Sequence, residues 1–128
     1  MKVLLDTHLL LWAAGQPSRL TRETRELLEN PQTDVVFSVA SLWEIAIKNG
    51  LGREDFHVDA RLLRRGLLEN GYRELEIKGE HAVAIGVLPP IHKDPFDRIL
   101  AAQAMIEGIL LLTADPVVAR YPCPVRKV

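Results

Sequence analysis

The sequence predicts an α/β fold, a parallel sheet covered on both faces by helices, and three observations carry that prediction. Short apolar, strand-like runs alternate with helix-like segments along the chain. The run Ile109 to Leu112 is apolar at every position, which suits a central strand buried on both faces. With 128 residues, 48% of them hydrophobic and 26% charged, the chain can bury a core of its own and reads as one domain, residues 1–128. The strand order does not follow from this pattern.

The elements read in order as follows. Val3 to Leu5 is a short strand ending at Asp6, and His8 to Ala14 a short helix closed by Gly15 and Pro17. Thr21 caps a helix that runs to Glu29, where Asn30-Pro31 stops it. Val35 to Phe37 is the second strand, and Ser38 to Lys48 a helix ending at Asn49-Gly50. A polar, irregular stretch follows through Arg53 and Phe56. Asp59 then caps a helix to Glu69, ended by Asn70-Gly71. Leu75 to Ile77 is a weak third strand, and Glu80 to Val87 a short helix stopped by Pro89-Pro90. The clearest helix spans Pro95 to Glu107 and ends at Gly108. Strand Ile109 to Leu112 comes next, then a short helix from Asp115-Pro116 and a final strand over Val125 to Val128.

Composition excludes some classes of function. No apolar run approaches the roughly 20 residues that cross a bilayer, and MKVLLDTH turns polar too early for a signal-peptide core. The single cysteine, Cys123, has no internal partner, which fits a reducing cytoplasm, and no motif around it suggests a nucleophile. A net charge of −1 argues against a general DNA coater, which would carry a strongly basic face. It leaves open an enzyme that holds nucleic acid through bound cations.

In open parallel sheets, ligands bind beyond the carboxyl ends of the strands, and acids cluster in the sequence near that edge. Asp6 follows the first strand directly, and Asp115 lies three residues beyond Leu112. Glu44 lies in the helix after the second strand, and Asp97 in the first turn of the helix before Ile109 to Leu112. Each also has a plain structural reading. Asp6 can cap the next helix, and Ser41-Leu42-Trp43-Glu44 matches a capping box. Glu44 can also pair with Lys48 one turn on. Asp94-Pro95-Phe96-Asp97 and Asp115-Pro116 both read as cap-and-proline helix starts. If the carboxylates do gather, they would repel one another unless cations intervene, and their hard oxygens suit Mg²⁺ or Mn²⁺ better than zinc.

MKVLLDTH, SLWEIAIK, HKDPFDRILAAQA and LLTADPVVARY, in this order and spacing, resemble PIN-domain proteins of the VapC toxin type, from Met1 to about Tyr121. The resemblance implies a three-layer α/β/α sandwich around a mostly parallel five-stranded sheet. It also implies a metal-dependent endoribonuclease using Mg²⁺ or Mn²⁺, which hydrolyses RNA to leave a 5′-phosphate and a 3′-hydroxyl. The implied partners are a cognate antitoxin that inhibits the enzyme and a second copy in a homodimer. Carried over by position, the site is Asp6, Glu44, Asp97 and Asp115. Asp6 would be the central ligand, Asp97 and Asp115 would hold the ion or its water, and Glu44 would complete the set or orient the attacking water.

Asp94 is read chiefly as the helix cap, with Asp97 as the ligand; Thr113 is an auxiliary that orients Asp115 or water, or a local cap. Many relatives have asparagine where this chain has His8, which is read as no metal ligand. His92 sits close enough to the acidic helix to approach substrate, or is a solvated loop residue. His57 and His81 lack ligand-like spacing, and Trp12 and Trp43 are read as core. Two other functions compete. A PIN-like scaffold that binds a partner without cutting is disfavoured by the intact acid quartet. A phosphoacceptor receiver domain would want paired acids after the first strand, where Thr7 follows Asp6, and an aspartate after the third, where there is none.

Overall fold

Among the described residues every strand joins one sheet, and all four strand pairings are parallel. The computed structural model describes residues 1–52 and 57–128, so Arg53 and Phe56 of the expected irregular stretch lie outside the described residues. The strands are β1 (Lys2–Leu5), β2 (Asp34–Ser38), β3 (Arg73–Leu75), β4 (Leu110–Thr113) and β5 (Val125–Lys127), in the order β3-β2-β1-β4-β5. Among the described residues six α-helices accompany them: α1 (Thr7–Gly15), α2 (Arg22–Glu29), α3 (Val39–Gly50), α4 (Ala60–Glu69), α5 (Gly79–Ala84) and α6 (Pro95–Glu107).

Strand alternation builds two cores. Val3, Leu5, Val35, Phe37 and Leu112 face one side of the sheet and pack with Leu9 and Leu10 of α1 and Leu67 of α4. Leu4, Val36 and Leu111 face the other side and pack with Ile99, Leu100 and Ala104 of α6. Helices on both faces make the expected α/β/α sandwich, with five strands.

Most boundaries fall where the caps place them. Thr21, Asp59 and Asp94 each accept backbone N–H bonds in the first turn of α2, α4 and α6. Gly108 ends α6 at φ 65°, a conformation that favours glycine. Other expectations are corrected. The third strand is Arg73–Leu75 and not Leu75 to Ile77, because its register runs Val36↔Arg73 to Ser38↔Leu75, after which Ile77 only packs beneath the sheet. The helix expected at Asp115-Pro116 is one 3₁₀ turn, Val118–Arg120. Another 3₁₀ turn, Ile85–Val87, ends the helix expected to reach Val87.

One motif residue is a structural lock. Gln103, fully buried in α6, accepts from Ser38 Oγ at 2.6 Å and donates to the Glu76 carbonyl at 3.1 Å. It ties α6 to the ends of β2 and β3. Leucine at this position would leave the buried Ser38 hydroxyl proton without an acceptor, costing about 1–3 kcal/mol. Gln103→Leu is therefore expected to lower the urea midpoint with an unchanged slope, and an unchanged midpoint would remove this role.

Candidate functional site

The strand order creates a topological switch point. From β1 the chain steps outward to β2 and β3, then returns to the other side of β1 with β4 and β5. The crevice between the carboxyl ends of β1 and β4 is where such sheets bind ligands. Asp6 and Asp115 follow those two strands.

A short hydrogen-bonded chain links them. The Thr113 hydroxyl donates to Asp6 Oδ2 at 2.5 Å and accepts from the Asp115 backbone N–H at 3.0 Å. Asp6 Oδ1 accepts from the Leu9 N–H at 2.9 Å, so Asp6 also caps α1, as its plain reading held. Asp115 Oδ1 accepts from the Val117 N–H at 2.8 Å. Thr113 thus orients Asp6 through its hydroxyl proton, a partner that sequence reasoning did not assign to it. Burial pushes the Asp6 carboxyl above its ordinary value, against the bonds from Thr113 and Leu9.

Glu44 and Asp97 approach from α3 and α6. Glu44 Oε2 pairs with Lys48 Nζ at 2.9 Å, while Glu44 Oε1 is buried without a hydrogen-bond partner among the described residues. The expected capping box does not form, because α3 begins at Val39 with Ser38 as its cap. Ser41 lies inside the helix and its hydroxyl accepts from Thr7 Oγ1 at 3.0 Å. Asp94 is the cap of α6, accepting from the Phe96 and Asp97 N–H groups. Asp97 Oδ2 instead meets His92 Nε2 at 3.1 Å. The Asp97 carboxyl is raised to about 6, foremost by burial and further by the charges of Asp94 and Glu44, with the His92 bond opposing. The Glu44 charge therefore reaches Asp97 across the gap between α3 and α6.

The quartet divides into these two pairs. Among the described residues, only Glu80, His81 and Glu107 bring three ligand atoms within 4.8 Å of one another. That group does not fit a metal. The Lys78 N–H donates to His81 Nδ1 at 2.9 Å, which leaves the ring proton on Nε2, facing Glu107 Oε2 at 3.0 Å. Nδ1 of this buried ring is spent on the cap of α5 and Nε2 on tying α5 to α6.

A cavity of about 620 Å³ is lined by Thr7, which follows Asp6 in the chain, and by Lys48, which pairs with Glu44. The ionisable groups among its described lining, His8, Arg19, Lys48 and His57, are all basic. Arg19 lies 4.6 Å from the ring centre of Trp12, which packs against the core as expected. Trp43 departs from expectation. It is 56% exposed, its edge against Phe96 at 5.2 Å. Ile47 and Leu51 follow it at four-residue spacing and are also exposed, forming an apolar stripe on the helix that carries Glu44. Burial pushes the Cys123 thiol up to about 11, in keeping with an inert side chain.

The contacts of His92 with Asp97 and Tyr121 are what sequence reasoning missed at the site. His92 stands five residues before Asp97, a signal within reach of the sequence, whereas Tyr121 meets His92 only through the fold.

No curated protein matches the sequence. Among solved structures, VapBC2 from Rickettsia felis bound to a DNA fragment from its promoter contains a similar chain. That chain gives a TM-score of 0.74 at 14% identity, over 100% of this chain and 99% of that one. DNA-bound VapBC from Salmonella typhimurium gives 0.67 at 15% identity, over 99% and 98% of the two chains. VapBC-1 from nontypeable Haemophilus influenzae gives 0.57 at 19% identity, over 90% and 87%. At such identities the likeness concerns the fold. The family model described as the PIN domain matches residues 3–122. The chain belongs to the PIN-domain family.

Proposed function

We propose that this chain is a divalent-metal-dependent endoribonuclease, the toxin of a VapBC-type toxin–antitoxin pair, with residues 1–128 acting as one PIN domain. The observation that carries the site reading is an under-neutralised pair of acids, Glu44 on α3 and Asp97 on α6. Glu44 Oε1 is buried with no partner among the described residues, and Asp97 is raised to about 6 by burial and neighbouring acids. Carboxylates in that condition fit a hard cation, which would supply the missing charge. Asp6, Asp97, Asp115 and Glu44 would hold Mg²⁺ or Mn²⁺. When bound, such an ion lowers the pKa of water and offsets charge building on a phosphodiester.

The chain's own groups hold the acids ready. Thr113 and the Leu9 N–H fix both oxygens of Asp6. Lys48 fixes one oxygen of Glu44 and leaves the other for a ligand. The basic cavity bordered by Lys48 and Arg19 supports a polyanion as substrate, because its charge suits phosphates flanking the cut. The exposed stripe Trp43, Ile47 and Leu51 supports a protein partner close to the site. The antitoxin would be that partner, and a homodimer is part of the same reading. Among the described residues no helix is long and apolar enough to cross a membrane.

Cleavage of a mixed RNA pool with and without EDTA tests the proposal. Activity is expected to vanish with the chelator and to return with excess Mg²⁺ or Mn²⁺, and calorimetry is expected to give a saturable Mn²⁺ isotherm. Cleavage indifferent to EDTA would end the metal reading.

A further inference from the structure

Three side chains behind Asp97 form a directional hydrogen-bond relay. Arg98 Nη1 lies 3.2 Å from Tyr121 Oη, Tyr121 Oη lies 2.6 Å from His92 Nδ1, and His92 Nε2 lies 3.1 Å from Asp97 Oδ2. The guanidinium can only donate, so the Tyr121 oxygen accepts from it. Its hydroxyl proton then points to His92 Nδ1. The ring proton is left on Nε2, where the carboxylate can only accept. Every donor in the chain has an acceptor, and the order runs one way.

The surroundings hold this order in place. Tyr121 is buried, and its ring lies 5.3 Å from that of His92. Arg98 also donates to the carbonyls of Pro89, His92 and Ile85, at 3.0, 3.4 and 3.3 Å. Those bonds clamp the loop that precedes α6. Tyr121 belongs to the segment after β4, so the relay joins the two elements that supply Asp97 and Asp115.

We infer that His92 is a positioning residue: Tyr121 and Arg98 lock its Nε2–H tautomer, and that N–H holds the Asp97 carboxylate in one orientation. This rests on reading Asp97 as a ligand of the proposed ion. An aspartate in the first turn of a helix has competing uses for its oxygens, including backbone N–H groups of that turn. Here Asp94 takes the capping bonds and His92 takes one Asp97 oxygen, which leaves the other without a hydrogen bond among the described residues. Partners that orient a metal's ligands typically matter by roughly 10- to 100-fold in affinity or activity.

The test uses His92→Asn, His92→Gln, Tyr121→Phe and Asp97→Asn in the full chain. The glutamine amide can place a donor near the lost Nε2–H, whereas the shorter asparagine falls short of it. Mn²⁺ affinity by calorimetry and kcat on RNA are both expected to fall roughly 10- to 100-fold in His92→Asn. KM is expected to stay within about twofold, since the relay orients a carboxylate and touches no substrate, and His92→Gln is expected to recover most of the loss. Two-bond ¹H–¹⁵N spectra of the wild-type imidazole are expected to show the Nε2–H tautomer, and Tyr121→Phe to mix it with the other.

The opposite results are separable. Wild-type Mn²⁺ affinity in His92→Asn, with that of Asp97→Asn lost, would overturn the relay and leave the site reading standing. Undiminished Mn²⁺ binding and cleavage in Asp97→Asn would overturn the site reading and the relay together. An Nδ1–H tautomer in the wild type would overturn the relay even if the asparagine variant does not fold.

Discussion

Asparagine in place of Asp97 is expected to abolish RNA cleavage and also to make the metal-free protein more stable at pH 7. The two effects have one cause. The Asp97 carboxyl is raised from 3.8 to about 6, chiefly because burial disfavours its charge. A group whose folded pKa lies above its unfolded one stabilises the fold when protonated. That contribution is complete below about pH 4 and is lost as pH rises through about 6. At pH 7 the ionised group therefore costs about 3 kcal/mol relative to the protonated one. Asparagine has nearly the same shape, keeps an oxygen for His92 and never ionises. In EDTA its urea midpoint should exceed that of the wild type at pH 7, and the gap should close near pH 4. Cleavage should fall by roughly 1,000-fold or more, about 4 kcal/mol of barrier. A variant that cuts RNA normally, or that is less stable than wild type at pH 7, would contradict this account. Asp6→Asn is expected to lose cleavage as fully.

Phe37→Ala is expected to remove a large share of the folding free energy. Phe37 heads the fully buried side chains by volume, in β2 between β1 and β3, and it packs in the cluster facing α1 and α4. Truncating a buried phenylalanine typically costs about 3–5 kcal/mol, the lost transfer energy plus an unfilled cavity. Domains of ordinary size hold only about 5–15 kcal/mol in total. Urea unfolding should show a midpoint much lower with the slope preserved. A loss under about 1 kcal/mol would mean that neighbouring side chains refill the space.

The sequence was most legible where local chemistry decides the outcome. Caps at Thr21, Asp59 and Asp94 and the stop at Gly108 act within one helical turn, so spacing alone locates them. β3 was placed two residues late because Arg73 and Glu74 are charged, and only pairing with β2 brings them into the sheet. Trp43 was misplaced because α3 carries apolar residues nearly all round, Val39, Leu42, Trp43, Ile45 and Ile47 among them. Such a helix does not say which side it buries. At the candidate site, sequence physics offered each acid a capping role, and Asp6 and Asp94 do cap their helices. The family resemblance supplied the grouping. The partners that orient the acids come from distant parts of the chain: Thr113 is 107 residues from Asp6, and Tyr121 is 29 from His92. No local pattern encodes such pairs.

The strand made first sits in the middle of the finished sheet, and this orders events during synthesis. Once β2 has emerged, β1 can pair along one edge. Its other edge must wait for β4, which begins at Leu110. At about 5–20 residues per second, the ribosome needs roughly 4–15 s to cover that interval. Until then the hydroxyl that holds Asp6 does not yet exist, and neither does Asp115. An interrupted translation product therefore lacks the assembled acid pair however well its first half folds, and the pair is complete only once Asp115 has been made.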